Sequence, residues 1–242
     1  MEIILILIIL VASSSSCQAM FTDQVEGKQK IDKFVVRYPR NVCSTGAVQD
    51  CRTDLPAGKF TIHGLWPNEV SEPIKRTFDI NLLKGQLLKD LEEHWPGLQN
   101  SANTNDYLWY RQWVKHGCYF HLGSGTQVEY FQKGIDLFRT PVIEKALSQL
   151  LITGKKYVTV DILKQLKQIT NFNPALSCKD STQGNIKLLV EVTFCLESDL
   201  KTLKDCPDKP SCGTEFYVET TALSPPPPPP RAGITEEAVA SF

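Results

Sequence analysis

The sequence predicts an α+β fold in which a central antiparallel sheet is packed by several helices, within a single disulfide-bonded domain. Three features favour this class. Strand-like runs stand near both ends of the chain, helix-like periodicities fill its middle, and eight cysteines are scattered along a sequence that begins like a secreted protein. A chain of 242 residues is long enough to bury a core of its own.

The first residues are typical of a secretory leader. Residues 3–12 are almost wholly apolar, and a serine run and the small-residue sequence CQA follow, ending at Ala19. About ten apolar residues are too few to cross a bilayer. We therefore predict a signal peptide at residues 1–19 and a secreted, extracellular protein without a membrane anchor. Glu2 stands where a leader usually carries a basic residue, and a buried N-terminal strand is the alternative.

The last residues differ in composition from the rest. From Ser224 the chain runs through consecutive prolines into RAGITEEAVASF. This composition cannot pack as a domain, so we predict a stiff, disordered tail at residues 224–242 and a folded domain at residues 20–223. A ligand for a proline-recognition domain is the alternative for Pro225–Pro230.

Charge excludes a strongly basic protein that coats nucleic acid. The chain carries 26 lysines and arginines against 27 aspartates and glutamates. A polyanion would therefore have to be held by a local site rather than by the charge of the whole surface.

Periodicity assigns the remaining elements in chain order. The predicted strands are Lys33–Pro39, Lys59–Asn68 and Leu188–Leu196. The predicted helices are Asn81–Glu93, a helix that is capped by Asn105 or Asp106 and ends at Gly117, Thr126–Phe138, Pro141–Ile152 and Val158–Thr170. A polar loop is predicted at Ser177–Asn185.

The stretch Asp106–Phe120, reading DYLWYRQWVKHGCYF, contains the second of these helices and carries the first group of candidate site residues. Gln112, Lys115 and His116 share one face, because offsets of three and four residues do so in a helix. Arg111 lies four residues before Lys115, and two neighbouring cations favour an anionic guest such as phosphate. The alternative is a solvated face with a histidine that caps the helix.

The strand KFTIHGLWPN, at Lys59–Asn68, carries the second group. Alternation places Thr61, His63 and Leu65 on the face opposite Phe60 and Ile62, so His63 points away from those two apolar residues. A structural, hydrogen-bonded histidine is the alternative for this position.

Together, FTIHGLWPN and WVKHG resemble the two active-site motifs of the ribonuclease T2 family, which includes the plant S-ribonucleases of self-incompatibility and their S-like relatives. The resemblance runs from about Phe34 to Cys212. Further matches are EHWPGL at Glu93–Leu98, PALSC at Pro174–Cys178 and LLVEVTFC at Leu188–Cys195.

The resemblance implies a metal-independent, cyclising endoribonuclease that needs no cofactor and acts on single-stranded RNA through a 2′,3′-cyclic phosphate. It implies that His116 is the general base, that His63 is the general acid, and that Lys115 stabilises the charge on phosphorus. We expect a monomer.

Two positions depart from the family pattern. Arg111 and Gln112 stand where many relatives carry His-Glu, so Gln112 would contribute an amide donor and Arg111 a permanent charge for phosphate. The remaining substrate-binding candidates are His94, Trp66 and Trp109, each with core packing as the alternative. His121 has no motif support, and we expect it to face solvent.

The resemblance also implies disulfides. It pairs Cys43 with Cys51, and it nests Cys195–Cys206 inside Cys178–Cys212. Cys118 would then be unpaired and buried, since Cys17 leaves with the leader, and an intermolecular disulfide is the alternative.

Three roles remain open at this point. The protein is a stylar S-ribonuclease with pollen-side protein partners, an S-like enzyme of phosphate scavenging or defence, or a catalytically weakened RNA-binding or storage relative. The retained His63, Lys115 and His116 argue against the last of these roles.

Overall fold

A computed structural model describes residues 31–55, 58–68, 77–150 and 156–219 of the chain. The predicted leader and the proline-rich tail lie outside these residues. The strands are β1 (Asp32–Arg37), β2 (Thr61–Trp66), β3 (Lys156–Val158), β4 (Ala175–Ser181), β5 (Gly184–Leu196), β6 (Leu203–Lys204) and β7 (Glu215–Tyr217). The helices are α1 (Pro39–Ser44), α2 (Gly85–His94), α3 (Thr104–Lys115), α4 (Gln127–Phe138), α5 (Pro141–Ser148) and α6 (Thr159–Thr170).

One sheet organises these elements. Its strand order is β2-β1-β5-β7-β3, and β4 and β6 also pair with β5. The pairings are antiparallel except for the short parallel contact between β5 and β7. The predicted α+β class with a mainly antiparallel sheet is therefore confirmed, and β1 lies between the two strands that carry His63 and Glu191.

The core forms where the sheet meets the helices. Phe34 and Val36 of β1 and Phe194 of β5 are buried in it, together with Trp95 and Phe131 from the helical side. Aromatic side chains bury large apolar areas, so this layer supplies much of the favourable free energy of folding. Within the described residues, no helix is both long enough and apolar enough to cross a membrane.

Local chemistry explains where the helices begin. Thr126 and Glu129 form a reciprocal capping box at the start of α4, close to the predicted start. By contrast α2 begins at Gly85, four residues later than predicted. Asn81 lies instead in a short 3-10 turn, where its backbone N–H is held by the Asp79 side chain.

Other boundaries also differ from the predictions. The helix predicted from Asp106 begins at Thr104, and the one predicted from Val158 begins at Thr159, directly after β3. The predicted loop at Ser177–Asn185 is wrong, because most of it forms β4 and the start of β5. This hairpin extends beyond the core, so its end is polar on both faces and lacks the apolar alternation that marks a strand.

Three disulfides tie the described residues together, and they are the pairs that the resemblance implies. They join Cys43 to Cys51, Cys178 to Cys212 and Cys195 to Cys206. The expectation for Cys118 is corrected: its side chain is buried, but it is disulfide-bonded rather than free.

Candidate active site

The strand β2 contains a β-bulge at the first candidate histidine. Val35 of β1 pairs with Gly64, whereas the next residue, Val36, pairs with Ile62. His63 is therefore the extra residue in β2 and has no partner of its own across the ladder. Bulges change the direction of a side chain, and they are frequent beside active sites.

The bulge corrects the predicted faces of β2. Strict alternation put Leu65 on the same face as His63, but Leu65 is fully buried in the core together with Ile62. His63 is partly exposed on the other side. One inserted residue reverses the phase of a two-residue repeat, so Ile62 and Leu65 both face the core although they are three residues apart.

Two buried side chains hold the outer edge of β2. The indole N–H of Trp95 donates to the backbone carbonyl of His63 at 2.9 Å, and the hydroxyl of Tyr130 donates to that of Leu65 at 2.7 Å. Burial raises the pKa of Tyr130, so its hydroxyl stays protonated and able to donate. The edge strand is thus satisfied by side chains, which fixes the backbone that carries His63.

The second histidine stands at the end of α3. His116 follows the last helical residue and has left the helical conformation, although its N–H still donates to the carbonyl of Gln112 at 2.9 Å. A Cβ on the next residue, Gly117, would lie 2.2 Å from the Trp113 ring. Glycine therefore lets the chain turn tightly against that indole, and this turn sets the position of His116.

Trp66 joins the two half-sites. Its ring stacks on His116 with centroids 5.1 Å apart, and it meets His63 edge to face at 5.3 Å. The two imidazoles, from separate elements, therefore contact the same indole. Their ring centres cannot be farther apart than these two distances combined.

Gln112 completes this cluster. Its side-chain oxygen accepts a hydrogen bond from the Trp66 indole N–H at 3.0 Å, and its side chain is only 6% exposed. A Cβ on Gly64 would lie 2.2 Å from both of the bonded atoms. Glycine at that position is what allows strand β2 and helix α3 to approach this closely.

The electrostatic surroundings of His116 favour a neutral ring. Burial lowers its pKa to about 3, and the positive charges of Lys115 and His63 act in the same direction. At neutral pH the imidazole is therefore uncharged and has a nitrogen lone pair able to accept a proton.

Sequence reasoning missed Glu191 of β5. Its carboxylate oxygen lies 2.6 Å from Nδ1 of His63, although the two residues are 128 positions apart. The signal available in the sequence was one carboxylate inside the apolar run LLVEVTFC. A charged residue within a buried strand needs a partner, but the sequence does not say which one.

The predicted cationic residues lie at the surface of α3. Arg111 and Lys115 are both exposed and stand one helical turn apart. Lys115 is adjacent to His116 and contributes to its electrostatic environment. His121 is exposed, as expected.

Trp109 does not occupy a substrate-binding position. It is 1% exposed, and its indole N–H donates to the carbonyl of Trp95 at 2.9 Å. This corrects the expectation that Trp109 contacts substrate, because the ring has no free face on which a base could stack. Trp113, also 1% exposed, is a core residue for the same reason.

His94 lies away from the pair of histidines. Its ring packs against Phe138 at 5.3 Å, and its Nε2 accepts a hydrogen bond from Arg139 at 3.2 Å. It lines a cavity of about 270 Å³ with Lys59 and Phe60. The described residues that line this cavity do not include Trp66, His63 or His116, so a role for His94 in substrate binding stays a prediction.

No cluster of three or more potential metal ligands (histidine, cysteine, aspartate or glutamate) occurs in the part of the chain that the structure describes. The described site consists instead of two imidazoles, an indole, an amide, an ammonium group and a carboxylate.

Comparison with known proteins assigns this chain and its fold to a family. The chain belongs to the ribonuclease T2 family, whose family model matches residues 30–206. The matched segment contains both histidines and all of the strands except β7.

Individual relatives agree with this assignment. Extracellular ribonuclease LE of Solanum lycopersicum is 29% identical over 77% of this chain and 85% of its own. Ribonuclease S-1 of Pyrus pyrifolia is 31% identical over 76% of this chain and 83% of its own. The structure of RNase NT in complex with 5′-AMP superposes with a TM-score of 0.65 at 25% identity, covering 81% of this chain and 100% of that one.

Proposed function

We propose that this protein is an endoribonuclease that cleaves single-stranded RNA by transphosphorylation, with the two histidines on Trp66 as acid and base. The observation that carries the proposal is the contact of both imidazoles with one indole ring. Family membership supports the reaction, and the 5′-AMP bound to RNase NT supports a nucleotide as the ligand class.

The chemistry uses the nucleophile of the substrate itself. The base removes the proton of the ribose 2′-hydroxyl, whose oxygen attacks the adjacent phosphorus and displaces the 5′-oxygen of the next nucleotide. The acid gives a proton to that departing oxygen. The products are a 2′,3′-cyclic phosphate and a free 5′-hydroxyl, and two imidazoles suffice for both proton transfers without a metal ion.

The surroundings of each ring support its role. His116 is neutral and can accept the hydroxyl proton, because burial and Lys115 disfavour its protonated form. An arriving phosphate would offset the charge of Lys115 and make the ring more basic than it is in the free protein. His63, the other imidazole on Trp66, is then available as the acid, and its Nδ1 lies 2.6 Å from the carboxylate oxygen of Glu191.

Three side chains are available to the phosphate. Lys115 is exposed beside His116 and can stabilise the additional negative charge that develops on phosphorus. The oxygen of Gln112 is occupied by Trp66, so its amide N–H groups remain free to donate to a phosphate oxygen. Arg111 adds a permanent positive charge one turn earlier on α3.

The proposal is tested by product analysis. The purified protein is incubated with single-stranded RNA, with and without a chelator, and the new 3′ ends are analysed for 2′,3′-cyclic phosphate. We expect cyclic ends in both samples, loss of cleavage in His63→Ala and in His116→Ala, and normal cleavage in His121→Ala, a control at an exposed histidine. Cleavage by both histidine variants, or a wild type that is inert at every pH, would refute the proposal.

We also propose that the protein is secreted through the leader at residues 1–19. The name of the relative extracellular ribonuclease LE supports this location. A stylar role in self-incompatibility and an S-like role in scavenging or defence are the two biological alternatives, and the match to ribonuclease S-1 supports the first. Expression confined to the style would support the first, and expression in roots and leaves would support the second.

A further inference from the structure

His63 and Glu191 form a close pair across the sheet. The distance of 2.6 Å between Nδ1 and the carboxylate oxygen is that of a short, charge-assisted hydrogen bond. The two residues come from β2 and β5, which flank β1 on opposite sides. Both side chains are less than a third exposed, so solvent screens the contact only partly.

The carboxylate of Glu191 is ionised at neutral pH. Burial alone would raise its pKa, but the hydrogen bond and charge of His63, together with the charge of Arg37, hold the pKa below its ordinary value. An ionised carboxylate has no proton to give, so it accepts and Nδ1 of His63 donates. The contact therefore fixes the tautomer of a neutral His63 ring, leaving Nε2 without a proton.

Arg37 supplies a buried charge behind this pair. It lies directly opposite Glu191 in the pairing of β1 with β5, and its guanidinium donates to the carbonyl of Pro96 at 2.6 Å. Burial lowers the pKa of Arg37 to about 10, which still leaves it charged at neutral pH. A buried cation at this position favours the ionised form of Glu191.

We infer that Glu191 is a positioning residue for His63, and that it holds the Nδ1 proton so that Nε2 is the nitrogen presented to the phosphodiester. The inference rests on the proposed function, in which His63 carries the proton for the leaving oxygen. Because His63 is the extra residue of a bulge, the ladder does not orient its ring. The carboxylate on β5 provides that orientation, and Arg37 keeps the carboxylate charged.

A purely structural ion pair would behave differently. It would stabilise the junction of β2 and β5, and its loss would lower the free energy of unfolding. It would not select the nitrogen of His63 that carries the proton, and it would not affect kcat separately from KM.

The test uses three variants of the full chain. Glu191→Ala removes the acceptor, Glu191→Gln keeps the shape and an acceptor oxygen without the charge, and Glu197→Ala is the control. Glu197 is exposed just beyond the end of the same strand, where it pairs with Lys204 at 3.1 Å. Long-range ¹H–¹⁵N NMR at a pH where the rings are neutral reports the protonated nitrogen of His63, and steady-state kinetics on a dinucleotide report kcat and KM.

We expect the Nδ1–H tautomer in the wild type and in Glu197→Ala, and a shift toward Nε2–H in Glu191→Ala. We expect kcat of Glu191→Ala to fall by about tenfold to a hundredfold with little change in KM, since a misdirected acid loses part of the gain from proton transfer. Glu191→Gln should lose less, because its amide oxygen can still accept from Nδ1. If Glu191→Ala does not fold, the same two readings are taken on Glu191→Leu, which fills a similar volume and also lacks an acceptor for Nδ1.

Two results would overturn the inference: an unchanged tautomer of His63 in Glu191→Ala, or a kcat of Glu191→Ala equal to that of the wild type. A wild type that does not cleave RNA would instead refute the proposed function. The NMR reading needs no turnover, so it still shows whether Glu191 directs the proton of His63.

Discussion

His63 lies on a strand beside a carboxylate, whereas His116 lies at a helix end beside an ammonium group, and the two imidazoles meet on the ring of Trp66. The His63 half-site is held by contacts across the sheet. The His116 half-site is held by a tight turn against a buried indole.

The difference between these half-sites separates the two roles. Burial beside the ammonium group of Lys115 favours a neutral His116, and a neutral imidazole can accept a proton. In the proposed mechanism His116 is therefore the base, and His63, whose Nδ1 lies 2.6 Å from the carboxylate of Glu191, is the acid.

Removing either ring should give the largest effect. We expect His63→Ala and His116→Ala each to lower kcat by about 10²–10⁴-fold, the usual contribution of a general acid or base. The kcat of His121→Ala should match that of the wild type, because that ring is exposed and has no part in the proposed mechanism. Single-turnover cleavage of a short RNA measures all three, and an equal loss in His121→Ala would show that the effect is not specific to the pair.

Removing the cation beside His116 should give the next largest effect. We expect Lys115→Ala to lower kcat by about 10²-fold, comparable with the loss of one group that stabilises developing charge. Lys115→Arg should retain more activity, since it keeps the charge. Lys115→Ala should also raise the pKa of His116, measured by NMR titration, because a neighbouring positive charge is lost. A fall in the pKa of His116 in Lys115→Ala would show that the Lys115 charge does not disfavour the protonated ring.

The buried, neutral state of His116 predicts a loss of stability in acid. Its folded pKa of about 3 lies below the ordinary value of 6.5, so the unfolded chain binds a proton more readily. The contribution of the neutral His116 ring to the free energy of unfolding is complete above about pH 6.5 and is lost progressively as the pH falls toward 3. Between pH 7 and pH 4, the free energy of unfolding of the wild type should fall by on the order of 2–3 kcal/mol more than that of His116→Asn, as measured by urea unfolding. Equal losses would contradict the burial of a neutral ring.

The smallest expected effect is a gain. Gln112→Glu keeps an acceptor for the Trp66 indole N–H and adds an anion near His116, which should raise the pKa of that ring and make it a better base. We expect a several-fold rise in kcat at slightly acidic pH. Gln132→Glu on the exposed face of α4 serves as the control, and a lower kcat in Gln112→Glu would show that the amide donor matters more than basicity.

The sequence predicts the parts of the site whose signals are local. The motifs around His63 and His116 place the two histidines at a strand and at a helix end, and the structure has both. The apolar spacing of the helices is local in the same way. The helix α2 starts later than predicted because the Asp79 side chain holds the backbone N–H of Asn81 in a 3-10 turn. The periodicity of apolar residues carries no information about such a hydrogen bond.

The parts that sequence reasoning missed depend on pairing. The alternation of faces along a strand assumes that each residue pairs with one residue of the neighbouring strand. His63 is an extra residue in β2, so alternation predicted the wrong face for Leu65. Glu191 and Arg37 face each other only because β1 and β5 are neighbours with a particular register. Trp109 has the same residue type as Trp66, and only the packing of α3 shows that one is buried and the other is available.

The most direct test of the two opposite roles uses a substrate whose leaving group needs no acid. A uridine 3′-phosphodiester of 4-nitrophenol releases a stable phenolate, so protonation of the departing oxygen no longer limits the rate. If His63 is the acid and His116 the base, His63→Ala should cleave this ester nearly as fast as the wild type, while His116→Ala stays inactive on it and on RNA. Full activity of His116→Ala with an inactive His63→Ala would reverse the assignment, and equal losses in both variants would contradict the division of roles.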